Sequence, residues 1–181
     1  VGLVGSTGSG KSTALDLLMG LLEPTSGSVL VDGMPIVGSR RRSWQRNVAH
    51  VPQAIFLADA SLAENIAFGV PEGDVDIIRV RESARWAAIA EFIEGAPEGY
   101  DARVGERGIR LSGGERQRIG IARAMYKRAG VLVLDEATSA LDMETEQMVI
   151  DSIEEYGHDL TVIVVAHRLA TVERCDIIYQ F

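Results

Sequence analysis

The chain has 181 residues, enough for one domain with a substantial core, and its 46% hydrophobic and 24% charged content is that of a folded globular protein, not a disordered one. A net charge of −8 argues against a nucleic-acid-binding surface as the main function, and a single cysteine, Cys175, excludes an internal disulfide. No apolar run approaches the length that crosses a bilayer.

Val1-Gly2-Leu3-Val4 is short and apolar, as a buried parallel strand requires. Directly after it, Gly5-Ser6-Thr7-Gly8-Ser9-Gly10-Lys11-Ser12-Thr13 fits G-x-x-x-x-G-K-[ST], a phosphate-binding loop. Its glycines let the backbone wrap close to a polyphosphate and aim N–H groups inward. Lys11 can reach the β- and γ-phosphate oxygens, and the Ser12 hydroxyl can ligate Mg²⁺. From Thr13 to Leu22, apolar residues at Leu15, Leu18, Met19 and Leu22 predict the helix that such a loop opens. Gly27 to Gly33 predicts a short strand with turns. Arg40, Arg41, Arg42 and Arg46 form a basic cluster, read as solvated surface. Val48 to Gln53 predicts a strand ending at Pro52, and Leu62 to Phe68 a short helix or loop. Asp74 to Phe92, with Val75, Ile78, Ala84, Ala88 and Phe92 spaced along it, predicts one or two helices. Gly95 to Gly108 is a turn-rich connector.

Ser112 to Tyr126 predicts a helix, with Ser112 as N-cap and Glu115 three residues on completing a capping box. The same residues make a second anion site, because Ser112 offers a hydroxyl and Gly113 and Gly114 expose backbone N–H groups at a helix start. Val131 to Leu134 predicts a buried strand that ends in Asp135 and Glu136. Ligands of open α/β sheets bind at that end of a strand; an Asp there can anchor a Mg²⁺ shell, and a neighbouring carboxylate can orient or deprotonate an attacking water. Asp142 is a plausible N-cap for an amphipathic helix over Glu144 to Tyr156. Thr161 to Ala166 predicts a strand ending at His167, and Asp176 to Phe181 begins another, with Cys175 packing at its entrance. His50 and His158 read as ordinary strand or loop residues. Strands alternate with helices from residue 110 onward, so the sheet there should be mostly parallel.

Six motifs in this order resemble those of the ATP-binding cassette (ABC) ATPases, the motor domains of ABC transporters: the phosphate loop Gly5–Thr13, a glutamine loop at Gln53, the signature Leu111–Glu115, the Walker B strand Val131–Asp135 with Glu136, an aspartate loop ending at Asp142, and a histidine switch at His167. The resemblance covers essentially the whole chain. It implies an α/β P-loop NTPase fold with a mostly parallel central sheet, a helical signature subdomain over roughly residues 55–125 and a partial antiparallel β-subdomain. It also implies one ATPase domain over residues 1–181, truncated at both ends. Related cassettes carry upstream strands, an adenine-stacking aromatic and final helices that this sequence does not contain, so the piece alone should bind and hydrolyse ATP weakly.

By the same resemblance, ATP and Mg²⁺ are the cofactors. Gly5–Thr13, Gln53, Ser112, Gly113, Gly114, Glu115 and Asp142 contact or couple nucleotide; Ser12, Gln53 and Asp135 hold the metal; Glu136, His167 and Gln53 serve hydrolysis. A second cassette is the implied partner, head-to-tail as a homodimer or pseudo-dimer. A transmembrane domain fused upstream would place the cassette at the cytoplasmic face of the membrane, and no nucleic acid is expected. Ser61 to Gly69 and Gly99 to Gly108 resemble exporter cassettes. An importer-type cassette and a soluble ABC-family ATPase remain as alternatives.

Overall fold

The computed structural model describes residues 1–105, 108, 111–156, 160–165 and 172–181. The continuous apolar runs become strands of one sheet: β1 (Gly2–Val4), β4 (Val48–Val51), β5 (Val131–Asp135), β6 (Thr161–Val165) and β7 (Ile178–Gln180), in the spatial order β4-β5-β6-β1-β7. The pairs β5–β6, β6–β1 and β1–β7 are parallel, as the alternation of strands and helices predicts. Their register has a functional consequence. Leu3 pairs with Val165, and Val165 pairs with Asp135. The exit of β1 and the exit of β5 are therefore level, at one edge of the sheet.

Two compact units emerge, and each is described by itself. The first comprises Val1–His50, Ala129–Glu136 and Leu160–Phe181. Its core joins Leu3, Val131, Val133 and Val165 from the strands with Leu15 and Met19, and Trp44 packs against it. Helix α1 (Lys11–Leu18) stops short of the predicted Leu22. Gly20, at φ +69°, turns the chain into the left-handed region. Its N–H donates to the carbonyl of Leu17, and that of Leu21 to the carbonyl of Asp16, the two bonds of a Schellman stop. Leu21 and Leu22 consequently lie outside the helix and are exposed. The strand expected after Gly27 is the first arm of a two-stranded antiparallel hairpin, β2 (Leu30–Val31) with β3 (Met34–Pro35), turning at Asp32-Gly33. Helix α2 (Ser39–Arg46) carries the arginine cluster and buries no residue, although Trp44 donates to the Leu18 carbonyl and Arg41 pairs with Glu23.

The second unit comprises Val51–Arg128 and Ala137–Asp159. It is helical: α3 (Leu62–Ile66), α4 (Ile77–Trp86), α5 (Ala90–Glu94), α6 (Gly113–Lys127) and α7 (Met143–Tyr156). Helices α3 and α4 pack on α6, and Ile66, Val80, Ile89, Ile93, Ile119 and Ile121 are wholly buried. Inside this apolar core, Asn65 is a fully buried polar hub. Its amide accepts from the Ala58 N–H at 2.9 Å and donates to the carbonyls of Ala58 and Ser61 at 3.1 and 3.0 Å. Arg123 of α6 donates to the Asn65 carbonyl at 2.9 Å and lies over the Phe68 ring. Burial lowers the Arg123 pKa to about 10.

The hub generates a stability prediction. Asn65→Ala strands the Ala58 N–H and removes one of two donors from each of the Ala58 and Ser61 carbonyls, which keep the backbone N–H groups of Ala60 and Asn65; it should cost about 1–3 kcal/mol in urea unfolding. A loss under about 0.5 kcal/mol, the size of an ordinary surface change, would show that the hub is dispensable.

Candidate functional site

In the first unit, β1 delivers the chain directly into the glycine loop, and α1 begins at Lys11 with Gly10 as its N-cap. No side chain caps that helix start. The loop is shaped for an anion. Gly8 and Gly10 have φ of +81° and +102°, and a Cβ at either would meet nothing within 4 Å, so the concavity is open. The Ser9 hydroxyl is buried without a hydrogen-bond partner among the described residues. Lys11 is only 7% exposed, and its Nζ donates to the Gly5 and Ser6 carbonyls at 2.8 and 2.9 Å. An ammonium folded onto its own loop, above open N–H groups and an unused hydroxyl, fits a polyphosphate. Ser6, Thr7, Ser12 and Thr13 are exposed along the same stretch.

Asp135 closes β5, half-buried, and Glu136 follows it. Burial raises the Asp135 pKa above the ordinary carboxylate value; His50 and Lys11 pull it down, while Glu136 and Asp16 push it further up. Glu136 sits at φ +51°, a conformation that costs a residue with a Cβ about 1–2 kcal/mol. Its N–H donates to the Val165 carbonyl at 3.1 Å, which continues the ladder beyond Asp135 and anchors the turn. His50, read from sequence as an ordinary strand residue, stands on β4 next to β5. It is exposed at the surface, yet the protein around it lowers its pKa, against the pull of the Asp135 and Asp16 carboxylates.

Among the described residues, no three His, Cys, Asp or Glu side chains gather into a metal cluster.

In the second unit, Ser112 caps α6 with both bonds of the predicted capping box: its N–H donates to Glu115 at 2.7 Å, and the Glu115 N–H donates to Ser112 Oγ at 3.3 Å. The Ser112 side chain stays exposed at the helix start. The aspartate loop packs on the same helix start: a Cβ on Gly114 would lie 3.3 Å from the Ala140 carbonyl oxygen. Asp142 caps α7, accepting from the Thr145 N–H at 2.9 Å and the Thr145 hydroxyl at 2.8 Å, and these bonds lower its pKa. Gln53 is exposed, two residues beyond β4. His167 and His158 lie outside the described residues.

The structure thus brings together Gly5–Thr13, Asp135 and Glu136 in one unit, and Ser112–Glu115 with the aspartate loop in the other. The sequence reading missed Gln117, which is 5% exposed and bonds Ser139 and Ala140. The signal was present: Gln117 falls on the same helical stripe as the buried Ile121 and Ala124, and a polar residue on an apolar stripe must find partners.

Comparison with known proteins agrees with this geometry. A family model described as ABC transporter matches residues 1–139. The beta-(1→2)glucan export ATP-binding/permease protein NdvA of Rhizobium meliloti is 48% identical over 178 residues, covering 98% of this chain and 30% of that protein. An ATP-dependent lipid A-core flippase of Cupriavidus metallidurans is 43% identical over 177 residues, covering 97% of this chain and 30% of that protein. The chain thus spans under a third of these relatives' length. Among solved structures, a bacterial Atm1-family ABC exporter with ATP bound superposes with a TM-score of 0.93 at 40% identity, covering 99% of this chain and 31% of that one.

The left-handed turn at residue 136 yields a prediction. Glu136→Gly and Glu136→Ala both remove the carboxylate, but only glycine relieves the backbone. The glycine variant should be more stable than the alanine variant by about 1 kcal/mol in chemical denaturation, with turnover lost in both. Equal stabilities would mean that the turn carries no strain.

Proposed function

This chain belongs to the ABC transporter family, and we propose that within it the chain is the ATP-binding and ATP-hydrolysing domain of an exporter, coupled to a transmembrane domain at the cytoplasmic face of a membrane. Among the described residues, no helix is long and apolar enough to cross a membrane, so the permeation path belongs to another part of the assembly. The observation that carries the reading is the level exit of β1 and β5, which sets Lys11 and the open glycine loop at the same sheet edge as Asp135 and Glu136.

ATP is the substrate of this mechanism. The triphosphate lies along the N–H groups of Gly5–Thr13, and Lys11 exchanges the carbonyls of Gly5 and Ser6 for β- and γ-phosphate oxygens. Ser12 and Asp135 would hold a Mg²⁺ ion, with Gln53 a further ligand by resemblance to the family, and the ion would neutralise phosphate charge. Glu136 accepts a proton from the water that attacks the γ-phosphorus; the bond to the β-bridging oxygen breaks, and ADP and phosphate remain. By resemblance to the family, His167 would hydrogen-bond the γ-phosphate and Glu136.

Residues 55–125 form the helical signature subdomain of the cassette. Its anion site at Ser112, Gly113 and Gly114 is redundant for a nucleotide already cradled by Gly5–Thr13. It serves instead the nucleotide of a second cassette, in a head-to-tail pair. Each ATP then bridges two cassettes, and loss of the γ-phosphate contacts opens the pair. Asp142 couples the two nucleotide sites.

The test uses the complete protein that carries this chain. Lys11→Ala should weaken ATP binding by about 10–100-fold in a nucleotide titration, since it removes a charge-assisted contact. Glu136→Gln should bind ATP normally and lose turnover by about 10²–10⁴-fold in a phosphate-release assay. Normal turnover in Glu136→Gln would remove Glu136 from the chemistry. The pairing has its own readout. ATP should close the cassettes of Glu136→Gln, seen as a distance change between spin labels on the two cassettes, and the further change Ser112→Arg should abolish that closure. An unchanged label distance at saturating ATP would sink the head-to-tail arrangement.

A further inference from the structure

Gln117 lies on α6 five residues beyond Ser112, and both ends of its buried amide are used. Nε2–H donates to Ser139 Oγ at 3.2 Å, and Oε1 accepts from the Ala140 N–H at 2.9 Å. The loop it grips is already close: Cβ atoms on Gly113 and Gly114 would lie 3.5 Å from the Ala140 Cβ and 3.3 Å from the Ala140 carbonyl oxygen. Leu141, next along, is buried. At its two ends the same loop is tied to α7. The Thr138 hydroxyl donates to the buried Glu146 at 2.7 Å, and Asp142 accepts from Thr145. The segment from Thr138 to Asp142 is therefore strung between two helices, and Gln117 is a tether on the α6 side.

We propose that Gln117 is a positioning residue for hydrolysis: it locks the loop that begins two residues after Glu136 to the end of α6 that presents Ser112. The proposal rests on the reading of Glu136 as the base and of Ser112 as a phosphate contact. Glutamine suits the place for a stated reason. A methionine fills the same volume but takes the acceptor from the Ala140 N–H, on an exposed residue at the mouth of a part-buried contact. A glutamate keeps the acceptor for that N–H, and the Ser139 hydroxyl can turn to donate to its second oxygen. The amide fixes two successive residues of the loop from one side chain. A shift of α6 is then passed to the chain leading back to Glu136, and a shift at residue 136 is passed to Ser112.

The experiment compares the complete wild-type protein with Gln117→Met, Gln117→Glu, and Gln117→Glu combined with Ser139→Ala. It reads kcat and KM for ATP, thermal midpoint, and hydrogen exchange at the Ala140 amide. For Gln117→Met, kcat should fall about tenfold or more with KM within about twofold, and Ala140 should exchange at least about tenfold faster, since a net hydrogen bond of about 1.4 kcal/mol is a factor of ten. Gln117→Glu should restore both to within about threefold, and adding Ser139→Ala should undo the rescue, because the carboxylate loses its second donor. A merely structural role would lower the thermal midpoint and leave kcat per folded molecule alone. If Gln117→Met does not fold, the contrast between Gln117→Glu and its Ser139→Ala combination decides. Wild-type kcat in both, or an unchanged Ala140 exchange rate in Gln117→Met, overturns the proposal. A wild type that binds ATP without hydrolysing it overturns the functional reading instead, and the exchange data still report on the clamp.

Discussion

The parallel register of three strands is the constraint on which the candidate site rests. Leu3, Val165 and Asp135 are neighbours across β1, β6 and β5, so two segments far apart in sequence leave the sheet at one level. Nothing in the glycine loop specifies this. It follows from the apolar faces of Val131, Val133, Val165 and Leu3, which share one core with Leu15 and Met19. A one-residue slip of β5 would move Asp135 off the level of the loop and exchange the side chains presented to its two buried faces, so packing favours the register that the chemistry needs. Glu136 extends this logic by one residue. Its N–H continues the ladder to Val165 while its φ has already left the strand region, so the last bond of the sheet holds the first residue of the turn.

Charge at this sheet edge is unbalanced on purpose. Glu136 and Asp16 act on Asp135 as like charges, with Lys11 and His50 as the cationic or polar counterweights. Burial and like charge both raise the Asp135 pKa, which is the signature of a carboxylate short of positive charge. On the proposed function a divalent cation would supply that charge, and a polyphosphate would replace the Gly5 and Ser6 carbonyls to which Lys11 donates here. The two ligands are complementary to each other as well as to the protein. Neither alone balances the edge: the cation without phosphate has few protein ligands, and the phosphate without cation meets three carboxylates.

Much of this was legible in the sequence where local chemistry dictates structure. The glycine loop, the Ser112–Glu115 capping box, the Asp142 cap and the β5 run ending in two carboxylates each depend on neighbouring residues, and each appears where the pattern puts it. Long-range partners were not legible. The helix after Lys11 ends at Leu18 rather than Leu22 because Gly20 takes a left-handed turn, with Trp44 from α2 donating to the Leu18 carbonyl. Apolar periodicity past that point continued by coincidence. The influence of Asp135 on His50 comes from the neighbouring strand, and the partners of Gln117 are 22 and 23 residues away in the chain.

Two pairs of glycines make the same point at finer scale. Gly8 and Gly10 adopt positive φ around open space, so what they provide is a backbone path that a side-chained residue resists, leaving room for a ligand. Gly113 and Gly114 are absent from the positive-φ set, and their missing side chains are matched by Ala140 at van der Waals distance. The sequence reading gave both pairs one role, exposing N–H groups to an anion. In the second unit the glycines have an additional role that constrains the first: they let the aspartate loop approach the helix start closely enough for Gln117 to reach it. An anion site built on such contact cannot move independently of the loop beside it. On the proposed function the signature is at once a surface for phosphate and one half of an internal joint, and substitutions there would alter both together.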